Sequence, residues 1–384
     1  MKILSNCKYF TQYRKFLKLP EEKRALVFYS EGRDYWTYLE PIIRYLLNNN
    51  KQALAYVTSD PSDPGLSIQD PNYHGFVIGS GTIRTIFFAS LKTKLLVMTM
   101  PDLNTFHIKR SPQTQHVAYI HHAIVSCHRA YRKGAFDHFD SIFCVGPHHK
   151  DEIRKIEQHY QLRQKQLIEH GYARLDTILA EKNQHSQPKD GPIHVLLAPT
   201  WGTHAILETI GSEVINILLS AQFKIIIRPH PQTRKLKTEL WTQIKNQYAH
   251  HPNITLDENI SSQASLLQSH LMISDWSGAA LDYAFGLEKP VLFIDVPPKI
   301  NNPEHSQLSL PVLEETLRSQ IGQVIASDQL AQIPQAIRAL TANSASFHEK
   351  IITARKQWIF NIGKSGKMGA LALLDILKMS KAKA

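Results

Sequence analysis

The sequence predicts an α/β protein built from two Rossmann-like parallel-sheet domains that face a cleft. Short apolar runs alternate with helical stretches in both halves of the chain, which is typical of parallel strands joined by right-handed helical crossovers. Many of the runs stop at residues that favour a turn into the next element. A polar segment with Pro and Gly, Glu181–Pro192, lies between the halves and is predicted to be a linker.

Residues 1–185 are predicted to form the first domain. Its strands are predicted from apolar runs, at Ala25–Tyr29, Ala53–Thr58, Phe76–Ile78, Lys94–Met98, Val117–Ile120 and Ser141–Val145. Helical patterns occupy Tyr35–Asn48, a stretch that ends at Leu91 and a stretch that opens near His148. Gly79-Ser80-Gly81 lacks the wider spacing of a dinucleotide-binding or P-loop motif, so we interpret it as a tight turn.

Residues 186–384 are predicted to form the second domain, and its last helices can pack back on the first. The predicted strands are Ile193–Leu197, Phe223–Ile227, Ile254–Leu256, Leu271–Ser274 and Val291–Ile294. The predicted helices are Ala205–Ser220, Thr233–Tyr248, Gly278–Phe285, Ser327–Ala342, Ser346–Asn361 and Met368–Met379. A chain of 384 residues is too long for one ordinary domain, which agrees with this division.

The charge balance indicates anionic partners. The chain carries 44 Lys and Arg against 33 Asp and Glu, a net charge of +11. Such an excess favours membrane lipid or a phosphorylated substrate. Nucleic acid is not expected, because the sequence has neither an uninterrupted basic run nor an aromatic-basic RNA signature.

The sequence predicts a cytoplasmic protein. The three cysteines, Cys7, Cys127 and Cys144, show no paired spacing, which argues against a disulfide framework and a Cys-rich zinc site. No run of about 18 apolar residues is present, as a transmembrane helix would need. The first residues lack the apolar core of a signal peptide.

Residues 1–19 are predicted to form a basic amphipathic helix. Apolar residues recur near helical spacing, and Lys2, Lys8, Arg14, Lys15 and Lys18 fill much of the rest. Such a helix can lie on an anionic bilayer, which would make the protein peripheral on the inner face of the cell membrane. It can equally pack against its own domain, since most surface helices are amphipathic.

A phosphate site is predicted where two strands of the second domain end. One strand stops at Arg228-Pro229-His230-Pro231, where the two prolines hold the backbone and aim the imidazole. His230 can donate to a phosphate or remain a loop histidine satisfied by the backbone. Arg228 can clamp a phosphate or form a surface ion pair.

The other strand stops at Asp275 and turns directly into a helix. Ser277 is a suitable N-cap, and the N–H groups from Gly278 onward can bind an anion, so Ser277 is expected both to cap and to bind. Asp282 is either a ribose or acceptor contact or a solvated charge. Because ligands of open α/β sheets bind at the carboxyl edge, both strand ends are expected at one site.

His122 is the candidate general base of the first domain. It follows an apolar strand, and His121 would point the opposite way if the strand continues. The pair can also be metal ligands, but no carboxylate or Cys pair stands at ligand spacing, so no metal is expected. Ser365, before the last helix, is a phosphate contact or an ordinary cap.

Together these motifs resemble the CDP-glycerol glycerophosphotransferases, a family of teichoic-acid primases and polymerases with the glycosyltransferase-B fold. The resemblance runs from about Val117 to Gly366 as ordered blocks. The family's Lys-x-His-Pro block corresponds to Arg228–Pro231 and its Ser-Asp-Tyr-Ser block to Ser274–Ser277. The sequence departs from the family where Ile120-His121-His122-Ala123 replaces a Trp-His-Gly context, Ala173 replaces Pro, and Gly202 replaces the Arg of a Pro-Thr-Trp-Arg block.

The resemblance implies transfer of glycerol phosphate, or a related polyol phosphate, from a CDP-alcohol donor such as CDP-glycerol. The acceptor would be a hydroxyl of a cell-surface glycan or lipid-linked precursor, with CMP released. His122 and His230 would be catalytic, without a cofactor, because phosphoryl transfer depends chiefly on positioning and electrostatics. The expected donor and phosphate contacts are Thr200, Arg228, Asp275, Ser277, Gly278, Asp282 and Ser365.

Two other functions are compatible with the sequence. The first is a glycosyltransferase of the same fold that uses a nucleotide sugar to build capsule or surface polysaccharide. The second is a non-catalytic scaffold that binds glycan or lipid. The nucleotide released from a panel of donors would separate the enzymes, and substitution of His122 and His230 would identify the scaffold.

Overall fold

The computed structural model describes residues 2–105, 108–184, 191–259 and 262–382, so part of the predicted linker, residues 185–190, lies outside the described residues. The chain divides into two compact units. Unit 1 contains the described residues up to Ala123, then Tyr131–Arg174 and those from Ile359 onward. Unit 2 contains Ile124–Ala130 and the described residues of Leu175–Trp358.

Unit 1 is built on a parallel sheet of seven strands in the order β3-β2-β1-β4-β5-β6-β7. The strands are β1 Leu26–Ser30, β2 Leu54–Thr58, β3 Tyr73–Val77, β4 Thr93–Met98, β5 Thr114–Ile120, β6 Ser141–Cys144 and β7 Gln166–Glu169. The inner strands β1 and β2 are buried along their whole length, as expected for a sheet covered by helices on both faces. The sequence did not predict β7, an edge strand with two polar, exposed ends.

The helices of unit 1 include one from the end of the chain. They are α1 Lys2–Leu17, α2 Trp36–Asn50, α3 Thr82–Ser90, α5 Pro147–His159 and α16 Ser365–Ala382. The helix α16 packs on α2, where Leu373 and Ile376 join a buried cluster with Leu39, Ile42 and Leu46. Gly366 makes this approach feasible, because a Cβ there would lie 2.8 Å from Pro41.

The predicted N-terminal helix is α1, and it packs against its own unit. Phe16 meets Phe76 and Phe87 edge-on, with ring centroids 5.6 and 5.3 Å away. Phe10 and Leu17 remain 48% and 43% exposed, so α1 also carries apolar side chains that face away from the core. Among the described residues, no helix combines the length and apolar character that crossing a bilayer requires.

Unit 2 is built on a parallel sheet of six strands in the order β10-β9-β8-β11-β12-β13. The strands are β8 His194–Leu197, β9 Lys224–Ile227, β10 Ile254–Leu256, β11 Leu271–Ser274, β12 Val291–Asp295 and β13 Gly322–Ala326. The predicted class, two α/β units with parallel Rossmann-like sheets, is confirmed. The sequence did not predict β13, whose exposed Gln323 and Val324 interrupt the apolar pattern.

The helices of unit 2 differ from the prediction at several places. Ala264–Gln268 and Leu313–Ile321 are helices that were not predicted, and the predicted helix Ser327–Ala342 begins only at Ile333. Each of the two predicted helices Ala205–Ser220 and Thr233–Tyr248 is divided, because Ile210 and Lys237 have non-helical backbone angles. The helices are α4 Cys127–Ala130, α6 Ala173–Lys182, α7 Ile206–Thr209, α8 Gly211–Ser220, α9 Pro231–Leu236, α10 Thr238–Tyr248, α11 Ala264–Gln268, α12 Gly278–Leu287, α13 Leu313–Ile321, α14 Ile333–Ala342 and α15 Ser344–Trp358. Of these, α6 begins with two residues that belong to unit 1.

Candidate active site

The predicted site residues fall into two groups, one in each unit. His122 and Ser365 belong to unit 1, and the others belong to unit 2. Ser365 was predicted with the donor contacts, but it is fully buried at the start of α16. It lies beside Gly171, where an added Cβ would approach the Ser365 Cβ to 3.2 Å.

His122 follows the carboxyl end of β5, and both of its ring nitrogens have protein neighbours. Its Nε2 lies 3.5 Å from the Tyr131 hydroxyl, which is at the limit of a hydrogen bond. Its Nδ1 lies 3.0 Å from the carbonyl oxygen of Thr99, which can only accept, so Nδ1 carries the proton and donates. The neutral ring then has a lone pair on Nε2. Burial lowers the His122 pKa to about 4, although the Thr99 carbonyl opposes this shift. His122 is therefore neutral at pH 7, with Nε2 able to accept a proton.

Tyrosine side chains surround the His122 ring, and the sequence analysis did not identify them. The ring centroids of Tyr35, Tyr131 and Tyr38 lie 5.5, 5.9 and 6.1 Å from that of His122. The Tyr172 hydroxyl donates to the His122 carbonyl oxygen at 3.2 Å. The rings of Tyr35, Tyr38 and Tyr131 are half-buried and form an aromatic wall around the imidazole.

His121 occupies a different environment from its neighbour. It is only 2% exposed, and its ring stacks on that of His149 with centroids 3.8 Å apart. Neither ring nitrogen has a hydrogen-bond partner among the described residues. Burial first, and the neighbouring histidines second, hold the His121 pKa well below its usual range. The strand β5 ends at Ile120, so the condition under which the two side chains were predicted to point in opposite directions is not met.

Charged residues from three further segments of unit 1 lie at the same edge of the sheet. Glu31 follows β1, and burial raises its pKa although the neighbouring Arg84 guanidinium lowers it. Asp102 follows β4 and accepts from Nε of Arg132 at 2.6 Å. Glu31 and Asp102 could not be predicted as neighbours, because only the parallel sheet brings their strand ends together, and Arg84 comes from the helix α3.

In unit 2, Asp275 holds the loop that follows β8. It is 1% exposed, and its two carboxylate oxygens accept from the backbone N–H groups of Thr200 at 2.7 Å and Ile206 at 3.2 Å. Burial raises the Asp275 pKa to about 6, and these N–H groups limit the rise. Asp275 is thus occupied in fixing the backbone around Thr200.

The N-terminus of α12 follows Asp275 directly. Ser277 caps this helix, and its hydroxyl oxygen accepts from the backbone N–H of Ala279 at 3.3 Å. Gly278 is the first helical residue, so its N–H is among those that no helical carbonyl satisfies. Asp282 lies in the second turn of α12 and is 7% exposed, so it is not a solvated surface charge.

His230 is the N-cap of α9, and this fixes its tautomer. Its Nδ1 accepts from the backbone N–H of Gln232 at 3.1 Å, so in the neutral ring Nε2 carries the proton. Burial lowers the His230 pKa to about 3, and the nearby Lys299 and Arg234 lower it further. His230 therefore presents a neutral N–H donor at pH 7.

Arg228 is already engaged by neighbours from other elements. Its Nη1 donates to Ser265 Oγ at 2.7 Å and to Asp257 at 3.3 Å, and the side chain is largely buried. The structure thus favours a role in joining the end of β9 to α11 over a simple surface ion pair.

Trp201 and Lys299 complete this edge of unit 2. The Trp201 ring lies 6.0 Å from that of His230, and the Lys299 ammonium lies over it, 3.1 Å from the ring centroid. Lys299 follows Pro297-Pro298 after β12, a position with no recognisable motif, so the sequence analysis did not identify it. Within the part of the chain that the structure describes, no cluster of three His, Cys, Asp or Glu side chains could hold a metal ion.

Comparisons with known proteins identify the family and the fold of the chain. The model of a protein family described as CDP-Glycerol:Poly(glycerophosphate) glycerophosphotransferase matches residues 11–296. No curated protein gives a significant match. A structure of the wall teichoic acid polymerase TagF soaked with CDPG is similar, with 13% identity, a TM-score of 0.62 and coverage of 97% of this chain and 94% of that one.

Solved structures with other activities share the fold. The UDP-GlcNAc 2-epimerase from Neisseria meningitidis bound to UDP-GlcNAc has 14% identity and a TM-score of 0.56, with 91% of this chain and 99% of that chain covered. Sucrose-phosphate synthase from Thermosynechococcus elongatus has 12% identity and a TM-score of 0.53, with 91% and 98% covered. At this level of identity the likeness concerns the fold alone.

Proposed function

Since the chain belongs to the CDP-glycerol:poly(glycerophosphate) glycerophosphotransferase family, it is a transferase of glycerol phosphate from CDP-glycerol, and we propose how its residues divide the reaction. Unit 1 serves the acceptor and unit 2 the donor. The observation that carries the proposal is that His122 and His230 hold their ring protons on opposite nitrogens. His122 is left with a lone pair on Nε2, and His230 with an N–H on Nε2.

The role proposed for His122 is to take the proton of the acceptor hydroxyl. A general base must be neutral and must have a free lone pair within reach of that proton. The hydrogen bond to the Thr99 carbonyl gives the ring the required tautomer and orientation. A phosphate nearby would raise the His122 pKa from about 4 toward neutrality, because a negative charge favours the imidazolium. The base would then be strongest when the donor is bound.

The role proposed for His230, Ser277 and the N-terminus of α12 is to hold the donor diphosphate. His230 offers a neutral N–H, and the helix offers unsatisfied N–H groups together with its dipole. The acceptor oxygen attacks the phosphorus that carries the glycerol. The new O–P bond forms as the bond to the bridging oxygen breaks, CMP leaves with that electron pair, and the acceptor proton passes to His122.

We propose that the other predicted donor contacts either support the site without contacting the phosphates or contact another part of the donor. Asp275 supports the loop that presents Thr200, and Arg228 supports the end of β9. Asp282 is a candidate ribose contact one turn into α12. Ser365 is buried in unit 1, so we assign it a structural role as the first residue of α16.

We propose the terminal hydroxyl of a glycerol-phosphate polymer or its lipid-linked primer as the acceptor. The family description names poly(glycerophosphate), and the TagF structure is named a wall teichoic acid polymerase. The half-buried tyrosines around His122 suit this acceptor, because aromatic faces pack against the C–H groups of a polyol.

We further propose that α1 brings the protein to the inner face of an anionic membrane. Phe10 and Leu17 are exposed on this helix, and Lys8, Lys15 and Lys18 are exposed near them. A basic helix with exposed apolar side chains binds anionic lipid by charge and by insertion. Flotation with anionic vesicles at low and high salt tests this, with a Lys15→Glu/Lys18→Glu variant as the comparison, and equal flotation of both proteins would contradict it.

The central experiment is nucleotide release from a donor panel. The protein is incubated with acceptor and with CDP-glycerol, CDP-ribitol or UDP-GlcNAc, and the released nucleotide is identified. We expect the wild-type protein to release CMP from CDP-glycerol. We expect the His122→Gln and His230→Asn variants to fold but to release no CMP. The matched control is His159→Asn, because His159 is exposed on α5. Release of UDP alone, or full activity in both variants, would refute the proposed roles.

A further inference from the structure

Lys299 is held at the donor edge of unit 2 by the segment that leaves β12. That strand ends at Asp295, and Pro297 and Pro298 come immediately before the lysine. Two consecutive prolines restrict the backbone and leave the chain few directions. The Lys299 ammonium lies over the face of Trp201, 3.1 Å from the ring centroid. The loop after β12 thus contributes a cation next to the loop after β8.

The Lys299 ammonium is half-buried and has no acceptor from the protein. Among the described residues it forms no hydrogen bond and no ion pair, and its contact is the Trp201 ring. Glu208 and Asp275 attract it from a greater distance. Burial lowers the Lys299 pKa to about 8, which shows that these carboxylates do not fully compensate for lost water. An ammonium with three donors and only an aromatic face has unused hydrogen-bonding capacity.

The groups around Lys299 also favour an anion. His230, whose ring lies 6.0 Å from Trp201, carries a neutral N–H on Nε2 and lies close enough for Lys299 to lower its pKa. Asp275 lies close enough to attract Lys299, and the N-terminus of α12 begins three residues after it. A cation, a neutral donor and the positive end of a helix are thus neighbours. Together they suit an anion with more than one negative charge.

We infer that Lys299 is a donor-binding residue that contacts the diphosphate of CDP-glycerol. Its ammonium lies over the Trp201 ring and bonds to a phosphate oxygen. The contact offsets the charge that develops on CMP as it leaves. This inference rests on the proposed function, because it assumes that unit 2 holds the donor.

The test compares Lys299→Met with Lys299→Arg by titration calorimetry with CDP-glycerol. Methionine keeps an unbranched stem for Trp201 and removes the charge, whereas arginine keeps a phosphate-binding cation. Loss of one charge-assisted bond predicts that Kd rises by about tenfold to a hundredfold in Lys299→Met, while Lys299→Arg stays within about threefold of wild type. The Lys299→Met affinity should also depend less on salt, since one phosphate contact is lost.

Lys350→Met is the matched control, because Lys350 also lies over an aromatic ring, 5.4 Å from the centroid of Phe347, but on α15. Its CDP-glycerol affinity should equal that of wild type. Should methionine lower the thermal midpoint of unfolding, Lys299→Gln provides the same comparison. An unchanged Kd and salt dependence in Lys299→Met, with wild type releasing CMP, would overturn the inference alone. If wild type neither binds CDP-glycerol nor releases CMP from it, the proposed function fails as well.

Discussion

The Nδ1 atom of His230 accepts a hydrogen bond from the backbone N–H of Gln232 at 3.1 Å. This single bond does two things, because it caps α9 and it places the ring proton on Nε2. The cap and the Nε2 donor are therefore properties of one side chain, and a substitution can separate them.

Replacing His230 with asparagine should keep the cap but withdraw the donor, because the shorter amide does not reach the position of the imidazole Nε2. Asparagine is a good N-cap, so the free energy of unfolding should stay near that of wild type, whereas His230→Ala should lose about 1 kcal/mol. Both variants should reduce kcat/KM for CDP-glycerol by about 10²–10³-fold, as loss of a preorganised donor to a reacting phosphate does. Denaturant titration and CMP release measure the two effects. Wild-type turnover by His230→Asn would rule out a donor role.

The adjacent histidines 121 and 122 should have opposite sensitivities. His122→Gln removes the proposed base and should reduce kcat by about 10²–10⁴-fold with little change in CDP-glycerol affinity. His121→Phe should retain activity, because His121 is buried against Tyr119 and Phe136 at 4.9 and 5.4 Å between ring centroids. Steady-state kinetics on the two variants decides the assignment. If His121→Phe were inactive and His122→Gln active, the base would have to be His121.

Residues at the ends of buried strands were predictable, and the reason is geometric. The carboxyl ends of parallel strands meet at one edge of each sheet. His122 in unit 1, and His230 and Ser277 in unit 2, could therefore be placed from the apolar runs that precede them. The edge strands β7 and β13 were not predicted, because each is partly exposed and carries polar residues. They are only four and five residues long. Their apolar signal is too short to stand out from a loop.

Other site residues could not be predicted because their positions depend on tertiary contacts. Lys299 follows two prolines with no motif around it, and only the folded loop brings it to Trp201, almost one hundred positions earlier. Tyr35 comes from the start of α2 and meets His122 after β5. Asp275 is the opposite case. Its motif could be recognised in the sequence, but the hydrogen bonds that its carboxylate accepts from backbone N–H groups could not be predicted.

Substituting Asp275 with asparagine should therefore act through the loop after β8. The NH₂ group of the asparagine amide is a donor, and it would face the backbone N–H of either Thr200 or Ile206, which is also a donor. One buried bond would be lost, at a cost of about 1–3 kcal/mol in unfolding free energy. KM for CDP-glycerol should rise as Thr200 and Trp201 lose their support.

Asp328→Asn is the control for this substitution, because Asp328 is exposed in the same unit. It should leave both the unfolding free energy and KM unchanged. An Asp275→Asn protein with wild-type stability and raised KM would instead indicate direct contact between the carboxylate and the donor.

The buried histidines should make the protein sensitive to mild acid. Burial lowers the pKa of His170 to about 4 and holds that of His121 well below its usual range. Below pH 6.5 the unfolded chain binds protons at these positions and the folded chain does not. Each such histidine therefore reduces the unfolding free energy by about 1.4 kcal/mol per pH unit from pH 6.5 down to its folded pKa.

Asp275 acts in the opposite direction over part of this range. Its pKa is raised to about 6, so below pH 6 the folded state binds a proton more readily than the unfolded state and gains stability. Asp275 and Glu31, whose pKa values burial raises, oppose four histidines whose pKa values burial lowers: His121, His122, His170 and His230. The net change from pH 6.5 to pH 5 is therefore expected to be a loss of stability.

His121→Phe isolates one contribution to this loss. It removes a buried titratable ring, so between pH 6.5 and pH 5 it should lose less unfolding free energy than wild type. Urea titrations at the two pH values and constant ionic strength measure the difference. The exposed His159 provides the control, because His159→Asn should follow the wild-type pH dependence. Parallel curves for His121→Phe and wild type would mean that His121 binds its proton equally in both states, contrary to its burial against the His149 ring.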